Sequence, residues 1–269
     1  MPLLAGINYE RRGSGEPLLL VHGIGSRWEV WTPVLDQLAA HYDVIALDVP
    51  GFGASPAPPK GTTPGIESMC DMLERFLAEL GVERPHVAGN SMGGWIALEL
   101  ARRGAVTSAI GLSPAGFLAP RDRAYTIALL IHLRLSSQAA APLAPQLFRS
   151  ALGRKLGWSV VVAHPERMTP EDAVLGVKGM AEAPWFWPNM RALPKSSFTG
   201  GSEIEVPVTI AWGIRDHLLL PRQAATALGE IPHARFVSLP DCGHVPMYDD
   251  PRLVVDTVLS ALTRAQAPA

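Results

Sequence analysis

Cysteine is scarce in this chain. Cys70 and Cys242 are the only two in 269 residues, and they form neither a C-x-x-C pair nor a metal-ligand spacing. That excludes a disulfide framework and a zinc site of the usual kind, and neither a metal nor a cofactor is expected. Runs of lysine or arginine are also missing, and the formal net charge is -2, so no basic field exists to hold a polyanion; nucleic acid is not an expected partner. Apolar runs such as Ala124 to Leu133 are too short and too close to charge to span a bilayer, so no membrane span is expected. The first residues, MPLLAGINYERRGSGEP, lack the charged, apolar and small-residue regions of a signal peptide, which makes a cytoplasmic location the expectation. Hydrophobic residues amount to 48% against 18% charged, too apolar for a disordered chain. Oligomeric state leaves no trace in the sequence.

What is present is an alternation. Short β-branched or leucine-rich runs (PLLLVHG, YDVIALDV, PHVAGN) alternate with longer helical patterns (WTPVLDQLAA, GIESMCDMLERFLAELG, GWIALELARRG). That order specifies βαβ units and a mostly parallel sheet flanked by helices, an α/β fold. In the second helical pattern Met69, Met72, Leu73, Phe76, Leu77 and Leu80 recur at helical spacing, and Gly81 closes it. The alternation stops after SAIGLSPAG, and from about 117 to 199 the pattern is helical and proline-interrupted. It resumes with VPVTIAWG, ARFVSLPD and a last helix. Residues 1–116 and 200–269 therefore read as one core domain, and 117–199 as a helical insertion.

Within that order, Gly89-Asn90-Ser91-Met92-Gly93 fits G-x-S-x-G between a short strand and a helix. A sharp strand-to-helix turn strains the serine backbone and demands small flanking residues, which Gly89 and Gly93 are. The turn also sets Ser91 at a helix amino terminus, where unpaired N–H groups favour developing negative charge, and the Met92 N–H becomes one oxyanion donor. A serine hydroxyl needs a base and a group to orient that base. His244, in the loop after ARFVSL, is the candidate base, and Asp216, in the loop after VPVTIAWG, is the candidate acid. Asp241 lies nearer to His244 in sequence, but too close along the chain to sit easily behind the ring.

The order Ser91, Asp216, His244, together with the HGIG segment after an early strand, DVPGFGASP after the next, GNSMGG and CGHVPMYDDP, resembles the α/β-hydrolase fold superfamily, in its serine-nucleophile branch with a helical cap. The resemblance implies a Ser/Asp/His hydrolase with the cap inserted after the sixth strand, and Ile24 as the second backbone oxyanion donor, with Gly23 and Gly25 permitting its backbone. It leaves His22 and Asp48 as structural residues, and Cys242 reads as packing. Serine at the elbow, where epoxide hydrolases and haloalkane dehalogenases of this fold have aspartate, disfavours both. The expected reaction is cleavage of an ester-type bond (carboxylic ester, thioester or lactone) in a small, largely apolar substrate through an acyl-enzyme on Ser91. The Asn90-containing elbow also resembles that of carbon–carbon bond hydrolases acting on vinylogous diketone ring-cleavage products. Those commonly carry a tryptophan where this chain has Val245, and a cap arginine, for which Arg167 and Arg191 are the candidates. A ligand receptor or lyase that keeps the triad is the alternative from another class. Trp185, Trp187 and Val245 are the expected pocket residues, with Phe186 beside them.

Overall fold

A computed structural model describes residues 3–193 and 196–265. Eight strands form one sheet: β1 (Leu3–Leu4), β2 (Ile7–Arg12), β3 (Pro17–Val21), β4 (Asp43–Leu47), β5 (His86–Asn90), β6 (Ser108–Leu112), β7 (Val208–Gly213) and β8 (Arg235–Leu239). Their spatial order is β1-β2-β4-β3-β5-β6-β7-β8. The β1–β2 and β2–β4 pairs are antiparallel, and all pairs from β4 through β8 are parallel. Every residue of β4, β5, β6 and β7 is buried, as expected of parallel strands covered on both faces. At the edge, β8 alternates between more and less exposed positions.

Helices α1 (Thr32–Ala39) and α11 (Pro251–Ala265) pack together on one face. On the other, α2 (Ile66–Leu80) packs against α3 (Met92–Arg102). The α2 stripe of Met69, Cys70, Met72, Leu73, Phe76 and Leu77 is buried, and Gly81 ends the helix in the left-handed conformation with φ 71°. Both thiols are buried and unpaired, and burial raises their pKa: Cys70 well above the usual range, Cys242 to about 12. They are packing groups rather than nucleophiles.

Between β6 and β7 the described residues form helices and turns but no strand: α4 (Pro120–Ala140), α5 (Ala144–Leu147), α6 (Ala151–Trp158), α7 (Pro170–Glu182) and α8 (Phe186–Ala192). Helix α7 is the hub of this segment, packing on α4, α5 and α6. It also meets the turn at Trp28–Trp31 that follows β3, so the segment lies over the carboxyl ends of the central strands. Further helices are α9 (Gln223–Glu230) and α10 (Pro246–Asp249), the latter beginning two residues after His244, with Val245 at its amino end.

Candidate active site

The strand-turn-helix at Ser91 has the geometry its glycines demand. Ser91 sits at φ 59° and ψ −118°, a backbone region that L-residues rarely occupy. A Cβ on Gly89 would lie 2.0 Å from the Gly93 carbonyl oxygen, and one on Gly93 would lie 2.0 Å from that of Val21. Strand and helix thus touch through bare backbone. Ser91 N–H donates to the Leu112 carbonyl at 3.0 Å, and the Ser91 carbonyl accepts from Trp95 and Ala115, so the strained turn is held by bonds on both sides.

His244 Nδ1–H donates to Asp216 Oδ2 at 2.8 Å, while Asp216 Oδ1 accepts the backbone N–H groups of Leu218 and Leu219, each at 2.8 Å. Both side chains are buried. This bonding fixes the proton on Nδ1 and leaves the Nε2 lone pair for another partner. The histidine loop is tied down at three successive residues. Gly243 N–H donates to Asp249 Oδ2 at 2.7 Å, the His244 carbonyl accepts from Asn90 Nδ2 at 2.8 Å, and Val245 N–H donates to the Val161 carbonyl at 2.8 Å. Asn90 also donates to the Leu112 carbonyl, so a single amide joins elbow, β6 and histidine loop. Burial raises the Asp249 pKa, opposed by the N–H groups it accepts from Gly243 and His164.

Asp241 points elsewhere. Its carboxylate is held by Arg215 and His164, each at 2.7 Å, and those bonds lower its pKa, Arg215 first. With its side chain 62% exposed, it does not meet the His244 ring.

Around Ile24 the two glycines do different jobs. Gly25 adopts φ 71°, whereas Gly23 has no positive φ and instead makes room: a Cβ there would stand 3.0 Å from Ser91 Cβ. His22 donates from Nδ1 to the Gly23 carbonyl at 2.7 Å and accepts the Val49 N–H on Nε2 at 2.9 Å, bracing the loop as a neutral ring whose pKa burial lowers. Asp48 accepts from Asn8, Trp28 N–H and Ala54 N–H, pinning the two loops that follow β3 and β4. Among the described residues, neither the Ile24 nor the Met92 N–H donates to another backbone group.

Two cavities meet at the serine, for Ile24, Ser91, Leu130 and Leu218 line both. The larger encloses about 890 Å³ including its open mouth, and His244, Val245, Leu133, Trp158 and Met180 contribute to its wall. The smaller is walled by Met92, Trp95, Leu118 and Leu193 among others. Val245 is thus at the cavity, but Trp185 and Trp187 line neither. Trp185 lies against Gly51, where a Cβ would stand 2.4 Å from its own, and Trp187 is 37% exposed beside Phe186. The apolar wall comes instead from α4, α6 and α7, whose leucines, valine and methionine carried no local mark separating wall from core. Asn90, Asp249 and Val161 were likewise hidden, because their roles depend on contacts far along the chain.

Arg27 is the only cationic residue in the described lining of either cavity, and its guanidinium is committed to Glu29 at 2.8 Å. Arg191 is exposed and away from both, and Arg167 donates to the Asp249 carbonyl. Arg134, buried between α4 and α7, donates to the Met180 carbonyl and stacks on Phe186.

A mostly parallel sheet with a serine on a glycine-bounded elbow defines the class as an α/β hydrolase. The chain belongs to the α/β hydrolase fold family, whose model it matches over residues 16–251. It is 32% identical to the dihydrolipoyllysine-residue acetyltransferase component of the acetoin cleaving system of Cupriavidus necator, over 89% of this chain, and spans 62% of that relative's length. A 2-hydroxy-6-oxo-2,4-heptadienoate hydrolase of Pseudomonas putida is 37% identical over 42% of this chain and 45% of its own. Among solved structures, a bacterial membrane phospholipase A superposes with a TM-score of 0.77 at 26% identity, over 97% of this chain and 84% of that one.

Proposed function

We propose that the protein is a serine hydrolase that cleaves an ester-type bond in a small, neutral and largely apolar substrate through an acyl-enzyme on Ser91, beneath a cap formed by residues 117–199. The observation that carries the reading is the His244–Asp216 bond, which occupies Nδ1–H and leaves Nε2 as the acceptor of the neutral ring, on a residue that lines the same cavity as Ser91. In the reaction, His244 Nε2 accepts the Ser91 proton as the hydroxyl oxygen bonds the carbonyl carbon. The Ile24 and Met92 N–H groups hold the oxyanion, and the protonated imidazole then delivers its proton to the leaving oxygen or sulfur. Water, deprotonated by the same ring, releases the acid and restores Ser91. No metal or cofactor enters these steps.

The lining favours ester over carbon–carbon cleavage. A vinylogous diketone ring-cleavage product carries a carboxylate, and burying it in these cavities without an unpaired cation would cost several kcal/mol, on the order of the penalty for an unpartnered buried charge. Neither cap arginine expected to grip it reaches the lining. The test compares hydrolysis of short neutral esters, thioesters and lactones with that of a vinylogous diketone acid. Faster turnover of the neutral substrates by at least tenfold supports the reading. Preference for the diketone acid overturns it, and tight binding of a neutral ester without turnover transfers the site to a receptor role.

A further inference from the structure

The helical segment between β6 and β7 carries charge and exposed apolar surface that chemistry at Ser91 does not use. Between Asp122 and Glu166 the chain has no aspartate or glutamate, but it has Arg123, Arg134, Arg149, Arg154 and Lys155, of which Arg134 and Arg154 are buried and donate to backbone carbonyls. Arg149 and Lys155 stand exposed on and beside α6. Arg149 makes no ion pair among the described residues, and Lys155 lies 4.0 Å from Glu166.

Interleaved with these cations are leucines that the fold leaves uncovered. Leu135, Leu143, Leu147, Leu152 and Leu156 are between 44% and 79% exposed. Leu152 and Leu156 are one turn apart on the same face of α6. The stretch Pro120–Leu147 is apolar and long enough to cross a bilayer by composition, yet packed on this domain only 22% of its most apolar window is buried. Helices α4 and α6 thus carry this surface and the substrate cavity on different sides: Leu133 and Ser137 line the cavity on the side of α4 away from Leu135, and Gly157 and Trp158, next along the chain from Leu156, line it from α6.

We propose that this face of α4, α5 and α6 docks on an anionic phospholipid bilayer, with the leucines at the acyl boundary and Arg149 and Lys155 among the headgroups. An amphipathic surface of leucine flanked by cations has the chemistry of an interfacial anchor. Charge also decides against a second copy of the chain, because a two-fold contact would set this cationic surface upon itself. Docked this way, the bilayer lies against two of the helices, α4 and α6, that also wall the substrate cavity. The proposal does not depend on the role of Ser91.

The test is sedimentation of the whole protein with vesicles of phosphatidylcholine alone or containing roughly 30% phosphatidylglycerol, with gel filtration alongside. Each interfacial cation contributes roughly fivefold to partitioning on an anionic surface. Binding should therefore favour the anionic vesicles by tenfold or more and weaken with salt. The variant L152S/L156S should lower it by about tenfold or more, as should R149E/K155E, while thermal unfolding of both variants at the parent temperature reports an intact fold. No binding to anionic vesicles, equal binding to neutral ones, or binding that both variants retain overturns the proposal. A dimer that L152S/L156S dissociates overturns it too, and gives the face to a second copy.

Discussion

Replacing Asp216 by asparagine probes the site with almost no change of shape, and the hydrogen bonds decide which way the new amide turns. Oδ1 of Asp216 receives two backbone N–H groups, from Leu218 and Leu219 at 2.8 Å each. An amide NH2 placed there would face two donors, so the amide oxygen must take that place and the NH2 must face His244 Nδ1. The histidine then has to present a lone pair at Nδ1 and carry its proton on Nε2, the nitrogen that should accept from Ser91. Catalysis is left to the small fraction of rings in the wrong bonding arrangement. The expected loss is about 10⁴-fold in kcat, or about 5 kcal/mol of barrier, with KM little changed. The assay is steady-state hydrolysis of a short ester, with thermal unfolding alongside to show that the variant folds. A rate within tenfold of the parent would refute the reasoning. So would an equal loss in Asp241→Asn, which should stay within roughly threefold because Asp241 is spent on Arg215 and His164 at the surface.

Other consequences concern the elbow and its supports. At φ 59° and ψ −118°, alanine at position 91 keeps the backbone strain and glycine relieves it, so Ser91→Gly should unfold about 3 °C above Ser91→Ala, with both inactive. Equal melting temperatures would show that the turn stores no strain. Gly93→Ala would force a Cβ to 2.0 Å from the Val21 carbonyl oxygen and should cost about 3 kcal/mol or more in denaturant unfolding; a loss below about 1 kcal/mol would contradict the close approach. His22 is buried neutral, so its folded pKa lies below its ordinary 6.5, and the unfolded chain binds the extra proton. Its contribution is whole above about pH 6.5 and is lost as the pH falls below it. The unfolding free energy of His22→Asn should therefore depend on pH less steeply than that of the parent as the pH falls below about 6.5, by at most about 1.4 kcal/mol per unit. Parallel pH profiles would contradict that assignment.

The sheet and the elbow were legible because their constraints are local. Fully buried parallel strands print unbroken apolar runs, and a strand touching a helix prints glycine at both contact points. The edge pair β1 and β2 is not legible: two residues and the charged INYERR offer no apolar run, and β2 is a strand because β4 supplies a partner, β1 because β2 does. Asp216 and His244 could be placed because each follows a strand that ends at the same edge of the sheet. Their supports could not, since Asn90 reaches His244 across 154 residues. Trp185 failed as a pocket residue for a related reason. Size and apolarity do not say which neighbour an indole fills, and here the side chain that Gly51 lacks made the space.

The most direct test of the central claim is covalent. The protein is treated with a fluorophosphonate, the adduct is located by peptide mass spectrometry, and His244→Ala and Asp216→Asn are run beside it. Rapid phosphonylation confined to Ser91, slowed by several powers of ten in both variants, is the expected result. Absence of an adduct in the folded protein, or labelling of Ser91 at an unchanged rate without His244, would contradict it.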